Sequence, residues 1–384
     1  MAEKPVTSAT ILARLGGLVD PGSGGLVPPL QASTTYVRGE DYNLVYPENS
    51  YGRDNNEQVR LAESLICQLE HGADTKLFAS GMAAISTLVS ALRAGECLLL
   101  QSGMYWGAVA WIRKFCKHRA IDLIEEDSSD TQRFCEFIQK KKPRLILIEV
   151  PSNPWIKLSD IQEIANAART AGSALGVDAT AATPILLQPL KLGADFVIHS
   201  ATKAINGHSD VLAGVISCAN EQDPIWRHVC EERQGAGAVL SPQAAWLLLR
   251  GMRTLDLRVE KMSSNALSVA EFLQDHPEIE AVWYPGIQQY AQYDLAERLM
   301  PNGYGCLMSF LFKGGKDAAL EFCRHIEGIH RATSLGGTES LIEHRHTIEG
   351  NVTGCPDNLV RLSVGIEDIQ DLISELDFAL AKTR

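Results

Sequence analysis

Val197-Ile198-His199-Ser200-Ala201-Thr202-Lys203 is an apolar run that closes on two hydroxyls and then a lysine. Such a run reads as a buried strand with a polar end. Similar runs lie around this one, which spans Phe196–Ser200. They are Cys97–Gln101, Ile121–Glu125, Arg144–Val150, Ala174–Asp178 and Leu212–Cys218. Helical patterns fill the gaps at Met82–Leu92, Tyr105–Lys117, Thr131–Lys141 and Ile161–Ala171. Strands alternating with helices predict an α/β fold, a mostly parallel sheet covered on both faces. Ligands of such sheets gather beyond the carboxyl ends of the strands, where Lys203 stands.

Further along, Ser241–Leu273 reads as one long helical stretch. Ile279–Tyr284, Cys306–Phe312 and Leu359–Val364 read as strands, and Asp368–Ala381 as a closing helix. These predict a smaller α+β C-terminal domain. The first fifty residues are rich in Gly, Pro, Ser and Thr and read as an extended arm with little core of its own. The expected division is an arm over 1–50, an α/β sheet domain over 51–250 and the α+β domain over 251–384.

A chain of 384 residues has room for a large core and two domains. Its formal net charge of −12 argues against nucleic acid or an anionic membrane as the main partner. No apolar run approaches the length needed to cross a bilayer. The nine cysteines are scattered, without a C-x-x-C, as in a reduced cytoplasmic protein. Met1-Ala2-Glu3-Lys4-Pro5 lacks the apolar core of a signal peptide. His344 with His346, and His325 with His330, have no companions at zinc spacing, so no metal is expected.

A lysine at a strand end beside Ser200 and Thr202 suits a Schiff base with pyridoxal phosphate (PLP): hydroxyls and N–H groups hold the phosphate. Asp178 ends another strand of the sheet. It could pair with the pyridine nitrogen of PLP, or simply cap a helix. Ser80-Gly81-Met82 enters a helix, where the N–H groups face an anion or the serine serves as an ordinary cap. Asn153, between two prolines, points into the site or belongs to a rigid turn. Tyr51 and Arg53 share a face of an extended segment after the arm, and an arginine suits a phosphate. Tyr105, at the start of a helix, could stack on a ring. Arg361 lies inside an apolar run, so it needs an anion: a substrate α-carboxylate or a core ion pair.

Together these motifs resemble the Cys/Met-metabolism family of PLP enzymes, which includes cystathionine γ-lyases, γ-synthases and β-lyases and methionine γ-lyases. The resemblance runs from Tyr51 to Asp368. It is carried by His199-Ser200-Ala201-Thr202-Lys203 with Gly207-His208-Ser209-Asp210, by Ser334-Leu335-Gly336-Gly337, and by Arg361-Leu362-Ser363-Val364-Gly365-Ile366-Glu367-Asp368. It implies the type I aminotransferase fold, with Lys203 as Schiff-base lysine and proton carrier. Asp178 would meet the pyridine nitrogen; Ser80, Gly81, Met82, Ser200 and Thr202 would hold the phosphate. Tyr105 would stack on the ring and assist proton transfer. Asn153, Ser334 and Arg361 would hold the substrate carboxylate. Tyr51 and Arg53 would reach a neighbouring subunit's phosphate, in a homo-oligomer with shared sites, such as a dimer of dimers. The substrate would be a small amino acid with a leaving group at Cγ, undergoing elimination or replacement. The rivals are a β-lyase of the same family and a non-catalytic PLP-binding protein.

The sequence departs from the family pattern in several places. Asp54-Asn55-Asn56-Glu57-Gln58 replaces small-Gly-Asn-Pro-Thr, and Ala179 replaces an asparagine. Trp106 follows Tyr105 in place of glycine. His344-Arg345-His346-Thr347-Ile348-Glu349-Gly350 replaces His-Pro-small-small-Met-Thr-His. Trp106 and Glu349 together would favour a cationic distal group, such as the guanidino-oxy group of canavanine. Alternatively Trp106 packs in the core and Glu349 is solvated on a surface turn.

Overall fold

The computed structural model describes residues 6–350 and 353–383. The first five residues, on which the reading of the chain start falls, lie outside them.

Seven strands form the larger sheet: β1 (Asp74–Phe78), β2 (Cys97–Gln101), β3 (Asp122–Glu126), β4 (Leu145–Glu149), β5 (Ala174–Asp178), β6 (Phe196–His199) and β7 (Gly214–Cys218). Their order is β1-β7-β6-β5-β4-β2-β3. Every pairing is parallel except those of β7, which runs against both β1 and β6. Every residue of β4 to β7 is buried, as expected for strands covered on both faces. Hydrophobic clusters lie on the two faces of this sheet. One joins Ile146, Ile148 and Val177 to the helices Glu57–Glu70 and Ile161–Ala171. The other joins Leu98, Leu147 and Ile198 to Gly81–Ser90 and Trp106–Arg119.

The mostly parallel sheet agrees with the expectation. The strand β1 and the helices Glu57–Glu70 and Pro224–Ala236 do not figure in it. β1 reads Asp-Thr-Lys-Leu-Phe at the sheet edge, with Asp74 and Lys76 half-buried and Thr75 buried, so its apolar content is low. The stretch expected as one long helix is two, Pro242–Met252 and Leu255–Gln274. The break follows Gly251, where a Cβ would fall 2.3 Å from the Asn206 carbonyl oxygen. Backbone thus meets backbone there. Arg258, buried, donates to the carbonyls of Ala204 at 2.7 Å and Gly251 at 2.8 Å. The helix break therefore clamps the turn that follows Lys203.

The smaller sheet contains β8 (Ile279–Trp283), β9 (Leu307–Phe312), β10 (His330–Arg331), β11 (Leu341–His344) and β12 (Leu359–Ser363), in the order β10-β11-β12-β9-β8. Only β10 and β11 pair in parallel. The N-terminal segment is not extended throughout. A helix at Ser8–Ala13 carries Leu12, which with Leu15 is buried in the core beside Leu65. The chain from Leu18 to Asn56 is irregular and exposes Val37, Tyr42 and Tyr46. No described helix is long and apolar enough to cross a membrane.

Candidate active site

A cavity of about 380 Å³ opens at the carboxyl ends of β4, β5 and β6, facing the smaller sheet. Ser80, Gly81, Met82, Tyr105, Trp106, Asn153, Asp178, Ser200, Thr202, Lys203, Ser334 and Arg361 all line it. They come from segments up to 281 residues apart in the chain, counting from Ser80 to Arg361. Of the expected site residues, Tyr51, Arg53 and Glu349 are not on its wall.

At one end the helix Gly81–Ser90 points its N-terminus into the cavity. Ser80 caps it, accepting the Ala83 N–H at 3.1 Å. The approach of backbones there is close. A Cβ on Gly81 would lie 2.8 Å from Ser200 Cβ, and one on Gly214 would lie 2.1 Å from the Ser80 carbonyl oxygen. Glycine is required at both places, and Gly214 is a positioning residue that strand patterning does not reveal. The Thr202 hydroxyl exchanges hydrogen bonds with the Ala213 backbone at 2.9 and 3.1 Å, which pins the lysine turn to the start of β7.

Asp178, at the end of β5, is buried. Its Oδ1 accepts both the Thr180 hydroxyl at 2.5 Å and the Thr180 N–H at 3.0 Å, which leaves Oδ2 for another donor. Burial pushes its carboxyl above the ordinary value, opposed by the Thr180 bonds and by His199. Glu149, at the end of β4, is a second buried carboxylate on the wall. Its Oε2 accepts the N–H groups of Tyr105 at 2.9 Å and Asn153 at 3.1 Å. Burial and then the charge of Asp178 push it well above the carboxylate range. The family motif does not single out Glu149, although its place at a strand end could have done so. Tyr105 immediately precedes the helix Trp106–Arg119, and Gly107 leaves room for its ring: a Cβ there would sit 2.9 Å from the phenol carbons.

Lys203 Nζ lies 2.8 Å from Ser334 Oγ and donates to it. Burial, then the charge of Arg361, lower its ammonium from 10.5 to about 8; Glu343 opposes and Arg345 adds to the fall. Ser334 has φ +91°, a left-handed conformation unusual for a side chain other than glycine. Its carbonyl accepts Arg361 Nη2 at 2.5 Å, and Arg361 Nη1 donates to Asn153 Oδ1 at 3.1 Å. Arg361 Nε is buried without a partner. The guanidinium also pairs with Glu343, its cross-strand neighbour on β11. Burial lowers it to about 10.

Two expectations change here. Glu349 is buried rather than solvated, and its carboxylate accepts Arg345 Nε at 2.5 Å. It therefore does not face the cavity; Arg345 does. Trp106 is on the cavity wall and 38% exposed, so it is not a core residue. Tyr51 and Arg53 stack on each other, with the guanidinium 5.4 Å from the ring, and both are exposed away from the cavity of their own chain.

The side chains fit PLP. Asp178 Oδ2 is free to meet a pyridinium N–H, whose charge would offset the buried carboxylates. Ser80, Gly81 and Met82 present a helix N-terminus on the cavity wall, suited to a phosphate. Lys203 has the lowered pKa that an attacking amine needs.

The comparisons agree with the geometry. The chain is 37% identical over 378 residues to a cystathionine gamma-synthase of Mycobacterium tuberculosis, covering 97% of this chain and 96% of that one. It is 34% identical over 381 residues to a cystathionine gamma-lyase of Dictyostelium discoideum, covering 97% of each. A crystal structure of cystathionine gamma synthase from Xanthomonas oryzae pv. oryzae, in complex with aminoacrylate and cysteine, superposes with a TM-score of 0.94 at 33% identity, over 99% of both chains. Residues 9–381 match the family described as Cys/Met metabolism PLP-dependent enzyme. A lysine, a buried aspartate and a helix N-terminus in one cavity thus have their explanation: the chain belongs to that family and is a PLP-dependent enzyme.

Proposed function

We propose that this enzyme acts on a small amino acid carrying a leaving group at Cγ, by γ-elimination or γ-replacement. The observation that supports the proposal is the shared cavity of Lys203 and Arg361, bridged by Ser334, in which a titratable amine lies beside a buried guanidinium. Bound PLP supplies the electron sink that makes the substrate's Cα–H bond acidic. The other roles fall to side chains of the chain itself. Arg361 Nε, Asn153 and Ser334 hold the α-carboxylate. Asp178 would keep the pyridine nitrogen protonated, and Tyr105 would stack on the ring. Lys203 takes the Cα proton and then moves a proton at Cβ. The bond from Cγ to its leaving group then breaks. Water releases 2-oxobutanoate and ammonia, or a nucleophile takes the Cγ position.

Tyr51 and Arg53 are proposed to complete a neighbouring copy's phosphate site in a homo-oligomer, which the exposure of the segment around Tyr42, Tyr46 and Tyr51 supports. Nine free thiols support a cytoplasmic setting. A cationic leaving group such as that of canavanine keeps the exposed face of Trp106 as its support, since Glu349 is held by Arg345.

A panel of cystathionine, methionine, O-acetylhomoserine and canavanine tests the proposal. Formation of 2-oxobutanoate or homoserine, lost in Lys203→Ala, is the expected result. Pyruvate alone from cystathionine would move the reaction to Cβ, and no turnover by yellow protein would favour a binding role.

A further inference from the structure

Arg345 stands where the family pattern has proline, and it takes part in a buried four-charge cluster. Glu343 Oε1 accepts two arginines at once: Arg361 Nη2 from the neighbouring strand, and Arg345 Nη1 at 2.6 Å. Arg345 Nε is in turn held by Glu349 one helical turn on, at 2.5 Å. All four side chains are at least nine-tenths buried. Two guanidiniums and two carboxylates leave the cluster neutral. Without Arg345 it would carry a net charge of −1, with both glutamates around Arg361 and the nearer one wholly available to it. An incoming carboxylate would then meet a repelling site and an anchor already neutralised.

We propose that Arg345 is a positioning residue that keeps Arg361 available to the substrate α-carboxylate by sharing Glu343 and balancing its charge. Glu349 holds Arg345 in that posture. This rests on the proposed role of Arg361 as carboxylate anchor. Arg361 Nε, buried and unpartnered, is the donor that the arrangement keeps free. The effect is on binding of the amino-acid end, so it does not depend on the leaving group.

The test is titration of the holoenzyme with L-alanine, which has no leaving group. Binding is read from the visible spectrum, alongside cofactor content, melting temperature and kcat and KM for a substrate found in the panel. Arg345→Gln is expected to weaken L-alanine by about tenfold or more, with KM rising far more than kcat falls. Removing the surplus carboxylate in Arg345→Gln/Glu343→Gln should recover most of that loss, and Arg345→Lys should bind within about threefold of the parent. Glu349→Gln, whose amide oxygen can still accept Arg345 Nε and which leaves the cluster at +1, should bind L-alanine at least as tightly as the parent does. That sign is not expected of a merely structural pair. The proposal is overturned if the double variant is as weak as the single one, or if Glu349→Gln weakens binding. An Arg345→Gln effect seen only with particular leaving groups would overturn it too, placing Arg345 at the distal end. Should Arg345→Gln fail to fold, the double variant and Glu349→Gln still decide. Normal L-alanine binding by Arg361→Lys would instead remove the anchor role itself, a different outcome from any of these.

Discussion

Uptake of PLP by the cofactor-free protein should accelerate with pH through a midpoint near 8. An amine adds to an aldehyde only when unprotonated. Burial and the nearby Arg361 bring Lys203 from 10.5 to about 8. At pH 7 an ordinary lysine is neutral about once in 3,000 molecules, and one with a pKa of 8 about once in ten. The advantage is about 300-fold in reactive amine. Stopped-flow mixing of cofactor-free protein with PLP, followed by the visible band of the bound cofactor between pH 6 and 9.5, reads the midpoint directly. The two charges that act most strongly on Lys203 should move it in opposite directions. Glu343→Gln removes a carboxylate that favours the ammonium, so its midpoint falls; Arg361→Ala removes a repelling cation, so its midpoint rises. A rate still climbing tenfold per pH unit at 9.5 would mean an unperturbed amine. Shifts of the same sign in the two variants would mean that these charges do not act on Lys203 at all.

Two further outcomes follow from the site. Arg361→Lys should raise KM by about 10- to 100-fold while PLP stays bound, because an ammonium cannot keep the bonds to Asn153 and Ser334 and also present a planar fork; unchanged amino-acid binding would make Arg361 structural. Mixed oligomers of inactive Arg53→Ala and inactive Lys203→Ala subunits should regain part of the parent activity, measured after verified subunit exchange, because one intact site can then form from two chains; no recovery would refute shared sites.

The sequence was most legible where one strand ends in one functional group. Runs such as Leu145–Glu149 and Ala174–Asp178 are apolar throughout because both of their faces are covered. Their polar ends therefore had to lie at the sheet's rim, which is how Asp178 and Lys203 could be placed in one cleft from spacing alone. The arm was less legible. Tyr51 and Arg53 do not line the cavity of their own chain, and the role proposed for them needs a neighbouring copy, which the reading of a single chain does not supply.

Side chains that act through other side chains were hidden for a different reason. By its charge alone Glu349 is a candidate for the distal pocket. A charge has no direction in a sequence, and the nearest opposite charge decides where it points. Arg345, four residues earlier on a short helix, lies one turn away, the usual spacing for a stabilising pair. That i,i+4 spacing assigns Glu349 to Arg345 and leaves Arg345 on the cavity wall. The role of Arg345 there involves Glu343, which no local spacing links to Arg361: the two are 18 residues apart and meet only through the antiparallel register of β11 and β12. The charge balance around Arg361 is thus set jointly by a helical turn and a strand register. Substitutions in this segment should therefore be judged by the net charge they leave around Arg361, rather than by the residue each one removes.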